Sequence, residues 1–289
     1  MRRTSPIRTL YLSSALRTTI RRYPVRVADA EQGVPIWGRR EPGSRRPRFT
    51  RDQIAAVAME IADREGFDAV TMRRVAAELD AGTMTLYHYV RTKSDLVALM
   101  DDALMAEALI PSSKLPTEWR EALAAVARRT RAALMRHPWA LVSLQDAQFG
   151  PNAMRHFEQS LAAIAEAGLD PTTQFAVLGV VDDYVVGNVL HASEARLRRA
   201  TVTTHPEAAK AMVEFGLAQL RTGEFPHTQA LLGDTAPDRI LEDSPGPALD
   251  DSSLDAQFEE GLQAVLDGVA MRMAVGQSPS KKRRRASHA

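Results

Sequence analysis

From Thr50 onward the chain alternates apolar stripes at helical spacing with short polar breaks. Ile54, Val57, Ala58 and Ile61 recur every three or four positions and predict a helix that Thr50 caps and Gly66 ends. Val75, Ala76 and Leu79 predict a second helix, capped by Thr71. Asp80-Ala81-Gly82 predicts a sharp turn, and 83–90 a short third helix with Leu86 and Val90 inward. Leu96, Leu99, Met100, Ala103 and Leu104 mark a fourth, capped by Ser94.

Pro111 and Pro116 mark a boundary, beyond which the helical period continues. The stretch 117–136 turns Trp119, Leu123, Val126, Thr130 and Ala133 to one side. A short helix over 139–145 follows His137-Pro138. The stretch 152–167 places Met154, Phe157, Leu161 and Ile164 on one face, and Gly168 stops it. A long apolar helix runs from Pro171 to about residue 197, then 206–221 and 254–273 follow. No segment alternates with period two over a useful length. The expected class is therefore all-α, with a helix-turn-helix domain over 47–108 and a helical regulatory and dimerisation domain over 117–274. Four prolines make 223–253 read as a mobile linker inside the second domain.

Composition narrows the options. Among 289 residues 45% are hydrophobic, enough for two cores, and none is cysteine, which removes disulfides and thiolate metal sites. Cysteine-free chemistry suits the cytoplasm, the expected location. The run 175–190 is interrupted by Asp182 and Asp183, so no apolar run reaches the ~18–20 residues of a membrane span, and no membrane partner is expected.

The net charge of +1 conceals an asymmetry. Residues 1–46 carry eleven arginines against Asp29, Glu31 and Glu41, and 281–285 adds five basic residues. The intervening 47–280 keeps 21 basic against 33 acidic residues. The body is acidic, so nucleic-acid binding must arise from local geometry rather than a general basic field. The Arg-, Ser- and Thr-rich start has the composition of an organellar transit peptide. It reads here as a disordered basic extension, or as a start codon placed too early. Residues 275–289 read as a disordered basic tail that adds nonspecific phosphate contacts.

The segment from Thr71 to Lys93 has the chemistry of a groove reader. In a helix-turn-helix the second helix enters the major groove with its first residues at base edges. Thr83 and Thr85 supply short donors and acceptors, while Tyr87 and Tyr89 offer hydroxyls to phosphates. His88 offers an imidazole, and Arg73 and Lys93 flank the helix as phosphate clamps. The alternative is an ordinary three-helix subdomain, which explains Leu86 and Val90 but not the polar residues between them.

Residues 48–108 resemble the DNA-binding domain of the TetR family of transcriptional repressors. The resemblance rests on the first helix ending at Gly66-Phe67 and on Thr71 with Arg73 and Arg74. It rests further on Thr85-Leu86-Tyr87-His88-Tyr89-Val90 and on Lys93-Ser94-Asp95-Leu96. The C-terminal region resembles the tetracycline-repressor type of ligand domain more loosely. This resemblance implies a homodimer on a palindromic operator, released by a small-molecule effector. It carries DNA contacts onto Met72, Arg73, Thr83, Met84, Thr85, Tyr87, His88, Tyr89 and Lys93. Two departures stand out: Asp80 replaces the usual turn glycine, and Met84 is bulkier than the usual residue there.

The resemblance also places the long helix, with Gly179, Gly187 and Asn188, and the last helix in a four-helix dimer bundle. His137, Trp139, Phe149, His156, Tyr184, Asn188, His191 and one of Asp182 and Asp183 are candidates to line an effector pocket; the alternative is ordinary core or rim, and for the two aspartates a solvent-facing or subunit-pairing edge. The tetracycline repressor holds magnesium with a His after its sixth helix; 145–150 has none, so no metal or other cofactor is expected. No nucleophile-elbow, zinc-protease, Walker or dinucleotide motif occurs, so no enzyme is expected. The reading is a ligand-responsive repressor. Two others stay open: an activator or ligand-independent DNA-binding protein of the same fold, and an all-α small-molecule-binding protein or enzyme with a vestigial helix-turn-helix.

Overall fold

The computed structural model describes residues 35–39, 48–143, 149–232 and 251–276, and every regular element among them is helical. The chain divides into two compact units, 1–186 with 262–289, and 187–261.

In the first unit, α1 (Arg51–Glu65) opens on a reciprocal cap. The Thr50 hydroxyl accepts from the Gln53 N–H, and the Gln53 side chain accepts from the Thr50 N–H. Gly66 ends α1 at φ 89° and ψ 160°, a conformation open only to glycine. A 3-10 turn, Phe67–Ala69, leads into α2 (Met72–Glu78), capped by Thr71 as expected. After the turn come α3 (Thr83–Tyr89) and α4 (Lys93–Ala108). Thr92, not Ser94, caps α4: its hydroxyl accepts from the Asp95 N–H at 3.0 Å, and Asp95 reaches back to the Thr92 N–H at 3.2 Å. Both residues are good caps. Asp95 decides between them, because the reciprocal box needs an acid three residues after the cap.

Helix α4 is the hub. It packs against α1, against α5 (Trp119–Arg136) and against α7 (Pro151–Ala163). It buries Leu96, Leu99, Met100 and Leu104 together with three carboxylates, Asp95, Asp101 and Asp102. Each carboxylate has a purpose in packing. Asp101 accepts from the buried Ser143 hydroxyl at 2.5 Å, fixing α6 (Ala140–Ser143). Asp102 caps α7, accepting from the Asn152 and Ala153 N–H groups at 2.8 and 3.1 Å. Burial pushes the Asp102 carboxyl up, and those N–H groups pull it partly back.

Two expected faces differ. Trp119 starts α5 half-buried, with Glu118 as its cap, and Met154 points outward, 55% exposed. Helix α7 ends at Ala163, and a 3-10 turn, Ala165–Ala167, carries the chain to Gly168 at φ 69°.

Helix α8 (Pro171–Thr204) is longer than the sequence pattern implied. Within Pro171–Ala200 an eighteen-residue window reaches a mean hydropathy of 1.3, long and apolar enough to cross a bilayer by length and composition alone. The expectation that no such run exists is corrected, because two aspartates in that window do not cancel the flanking valines and leucines. Val177, Val181 and Val185 are buried in the first unit, as are Leu262, Leu266 and Val269 of α11 (Asp251–Gly276), while Phe175, Val180 and Leu190 stay exposed, so one face of α8 serves the core.

The second unit contains the end of α8, then α9 (Pro206–Leu220), α10 (Pro226–Leu232) and the start of α11. Arg196 and Arg199 both pair with Asp251. Helix α10 and residues 251–253 of α11 fall within the expected linker, whose centre, 233–250, lies outside the described residues. The basic tail and most of 1–46 lie outside as well. Pro35–Arg39, inside the stretch expected to be disordered, instead forms a packed 3-10 turn with Ile36 fully buried.

Candidate nucleic-acid interface

Helix α3 is presented by a turn of unusual backbone. Asp80 has φ 48°, and it is the non-glycine residue with positive φ among those described. Asp tolerates that region better than most side chains. The turn is braced from before α1: Arg48 donates to the Asp80 carbonyl at 2.5 Å, and its guanidinium lies 5.3 Å from the Phe49 ring centre. Phe49 in turn meets Tyr89 edge to face at 6.3 Å.

Leu86 and Val90 seat α3 in the core, at 1% and 0% exposure. The nine residues that the family likeness selects then separate into two groups. Arg73, Met84, Tyr87, His88 and Lys93 are exposed, and Thr83 and Thr85 are half-buried. Met84 at 73% and Tyr87 at 42% are large apolar surfaces left in water. Met72 and Tyr89 are packed inside, at 9% and 7%. Alternation along so short a helix cannot distinguish Tyr87 from Tyr89; only the position of Phe49 does.

The cations separate in the same way. Arg74 is committed to Glu65 and Glu78, at 2.8 and 2.5 Å. Those pairs, with Arg64, hold the Glu65 carboxyl down to about 2, Arg74 being the larger cause. Arg73 is exposed and is free to reach outward. Lys93 occupies the first position of α4, where the helix dipole disfavours a cation. Its ammonium lies 5.3 Å from the Phe67 ring centre. A cation held against the dipole and on an aromatic face is poised for an anion.

Phe67 links this surface to the regulatory helices. Its ring stacks on Trp139 at 6.3 Å and 8°. Trp139 Nε1 donates to Asp63 of α1 at 2.7 Å. The buried His137 places Nδ1 at 2.9 Å from Asp63 and Nε2 at 3.2 Å from Glu107 of α4. Arg136 pairs with the same Glu107. His137 and Trp139, expected as pocket candidates, thus sit where α1 and α4 meet the loop after α5. A depression of about 250 Å³ opens here, lined by His137 itself with Asp63, Met59, Ala103 and Glu107 among others.

The remaining pocket candidates are dispersed. Phe149, Phe157 and Phe175 form a ladder, with centres 6.3 and 5.7 Å apart. His156 Nε2 lies 2.8 Å from the Thr130 hydroxyl, and burial pushes His156 down. Asp182 is exposed as a whole residue, while desolvation of its carboxyl, reinforced by Asp183, pushes it up to about 7. His191 is exposed, and Tyr184 and Asn188 are half-buried. A depression of about 350 Å³ lies elsewhere, between α9 and α10, lined by Val213, Leu217, Leu220 and Phe225. No group of three His, Cys, Asp or Glu able to hold a metal occurs among the described residues.

Residues 54–100 match the family described as "Bacterial regulatory proteins, tetR family", and 111–273 match "Tetracyclin repressor-like, C-terminal domain". The chain is 38% identical over 246 residues to the HTH-type transcriptional repressor DrrR1 of Streptomyces coeruleorubidus, covering 83% of this chain and 84% of that protein. It is similar in fold to apo ActR from Streptomyces coelicolor, with a TM-score of 0.60 and 24% identity over 81% of this chain and all of that one. ActR has also been crystallised with actinorhodin; that structure gives a TM-score of 0.57 at 24% identity, over 78% of this chain and 98% of that one. A possible TetR family regulator from Streptomyces coelicolor A3(2) gives a TM-score of 0.56 at 26% identity, over 77% of this chain and all of that one.

Proposed function

Since the chain belongs to the TetR family of bacterial transcriptional regulators, we propose that it is a repressor that binds a palindromic operator as a homodimer and is released by a small-molecule effector. The observation that carries this reading is the α3 surface. Met84, Tyr87 and His88 stand exposed on a helix whose other face is fully buried, flanked by the uncommitted Arg73 and by Lys93. Met84 offers an apolar contact for a thymine methyl, the threonines and Tyr87 offer hydroxyls, and Arg73 and Lys93 neutralise phosphate. Repression is named as the activity of DrrR1, and effector binding has a counterpart in the ActR–actinorhodin complex.

Two copies are needed because one α3 reads a single half-site, and a second must enter the groove about 34–36 Å away. An effector acts only if it binds the DNA-incompetent arrangement better than the competent one. The route from regulatory helices to α3 in this reading runs through α4 and the His137–Asp63–Glu107 cluster.

The test is selection of duplexes from a random-sequence pool by the full-length protein. An inverted repeat should emerge. Lys93→Ala should weaken binding to all duplexes alike and lower the log–log salt slope by about 1. Tyr87→Ala with Lys93→Ala should abolish retention of the enriched duplex. Retention unchanged in that double variant would sink the α3 assignment.

A further inference from the structure

Pro35–Arg39 lies outside both family matches, yet it is built into the fold. Ile36 is 0% exposed. The Gly38 N–H donates to the Pro35 carbonyl at 2.9 Å, closing the turn. Arg39 forms an ion pair with the buried Asp95, the same carboxylate that completes the cap of α4. Arg51, at the start of α1, donates to the Arg39 carbonyl at 3.1 Å. At the other end Trp37 lies against Gly150. A Cβ at 150 would fall 2.7 Å from Trp37 Cζ2 and would collide with the Asp102 carboxylate, so glycine is required there.

Asp95 and Asp102 are seven residues apart, two turns along one face of α4. One anchors Arg39; the other caps α7 and adjoins Trp37. A five-residue segment therefore touches the DNA-binding helices through Arg51 and Asp95, and the regulatory helices through Gly150. It spans the helix that joins them.

We infer that Pro35–Arg39 is a clasp that fixes α4 between the two domains and so positions the recognition helix; its effect on DNA rests on the operator-binding reading above. The arginine of this clasp is spent on Asp95, so it acts by positioning and not by touching phosphate. Removing it should loosen α4 and disperse the recognition helices over orientations of which only a fraction fit two half-sites.

The experiment compares the full chain with Trp37→Ala, Arg39→Ala and Arg39→Lys. One arm follows amide exchange without DNA. The other measures affinity for the duplex that the unmodified protein enriches from a random pool, across salt concentrations. Trp37→Ala and Arg39→Ala should speed exchange in α4 about tenfold while Ala122–Ala127 of α5 keep their protection. Affinity should fall about 5- to 10-fold with an unchanged salt slope, and Arg39→Lys should recover most of both. Unchanged α4 exchange in both alanine variants would overturn the clasp. So would a looser α4 with undiminished affinity, or a slope lowered by about 1 in Arg39→Ala, which would make Arg39 a phosphate contact instead. If the unmodified protein enriches no duplex, the operator reading fails, while the exchange arm still decides whether the clasp holds α4.

Discussion

Asp80 shows how one residue shapes the turn that presents α3. At φ 48° it sits where L side chains are strained, and Arg48 steadies its carbonyl. A β-branched side chain cannot relax there. Asp80→Val should lose roughly 1–2 kcal/mol of stability, and Asp80→Gly should change it by less than about 1 kcal/mol. Chemical denaturation of the three proteins checks this; equal stability of the valine variant would mean that the turn is not held left-handed. The turn was legible in Asp80-Ala81-Gly82, and so were the buried Leu86 and Val90. What the residues did not disclose was their commitment. Arg73 and Arg74 are neighbours of identical chemistry, but only Arg74 has Glu65 and Glu78 within reach. Tyr87 and Tyr89 differ only in that Phe49 covers the second. Glu78 is a local i,i+4 partner on the same helix, but Glu65 and Phe49 reach their partners across a turn or from before α1, and no local pattern contains those contacts.

At the scale of elements, periodicity located the helices because burying one face per helix is a local demand on composition. Ends followed competition between neighbouring caps, as Thr92 and Ser94 show. Helix α8 carries a pH dependence of its own. Asp182 is pushed up to about 7 from 3.8 by desolvation first and Asp183 second, although water reaching the carboxylate screens part of that penalty. A carboxyl raised in the folded state binds its proton more tightly there than in the unfolded chain. Its contribution thus favours folding in acid and is lost as pH rises from 3.8 through about 7. Asp182→Asn should remove this loss, so the variant should gain a few degrees in melting temperature over the unmodified protein at pH 8, less than half of that at pH 5 and little near pH 3. A difference that is the same at all three pH values would place Asp182 in bulk-like water.

At the scale of the molecule, large apolar side chains stay exposed in the single chain. In the second unit Leu190 and Leu197, seven residues apart on α8, are 50% and 68% exposed. In a homodimer that pairs these helices they would be covered. Leu190→Arg with Leu197→Arg should shift sedimentation from dimer to monomer and cost at least tenfold in affinity for a two-half-site duplex, because avidity is lost. A dimer that persists in this variant would move the interface elsewhere. The sequence by itself determined that the chain is helical, where its turns fall and which segment forms the helix-turn-helix, because capping, periodicity and turn chemistry act between near neighbours. Only the tertiary structure decided which cations and rings remain available, that His137 bridges α1 and α4 at the edge of a depression it helps to line, and that Pro35–Arg39 is part of the fold. Those outcomes depend on contacts across dozens of residues, where burial and charge pairing are settled by packing.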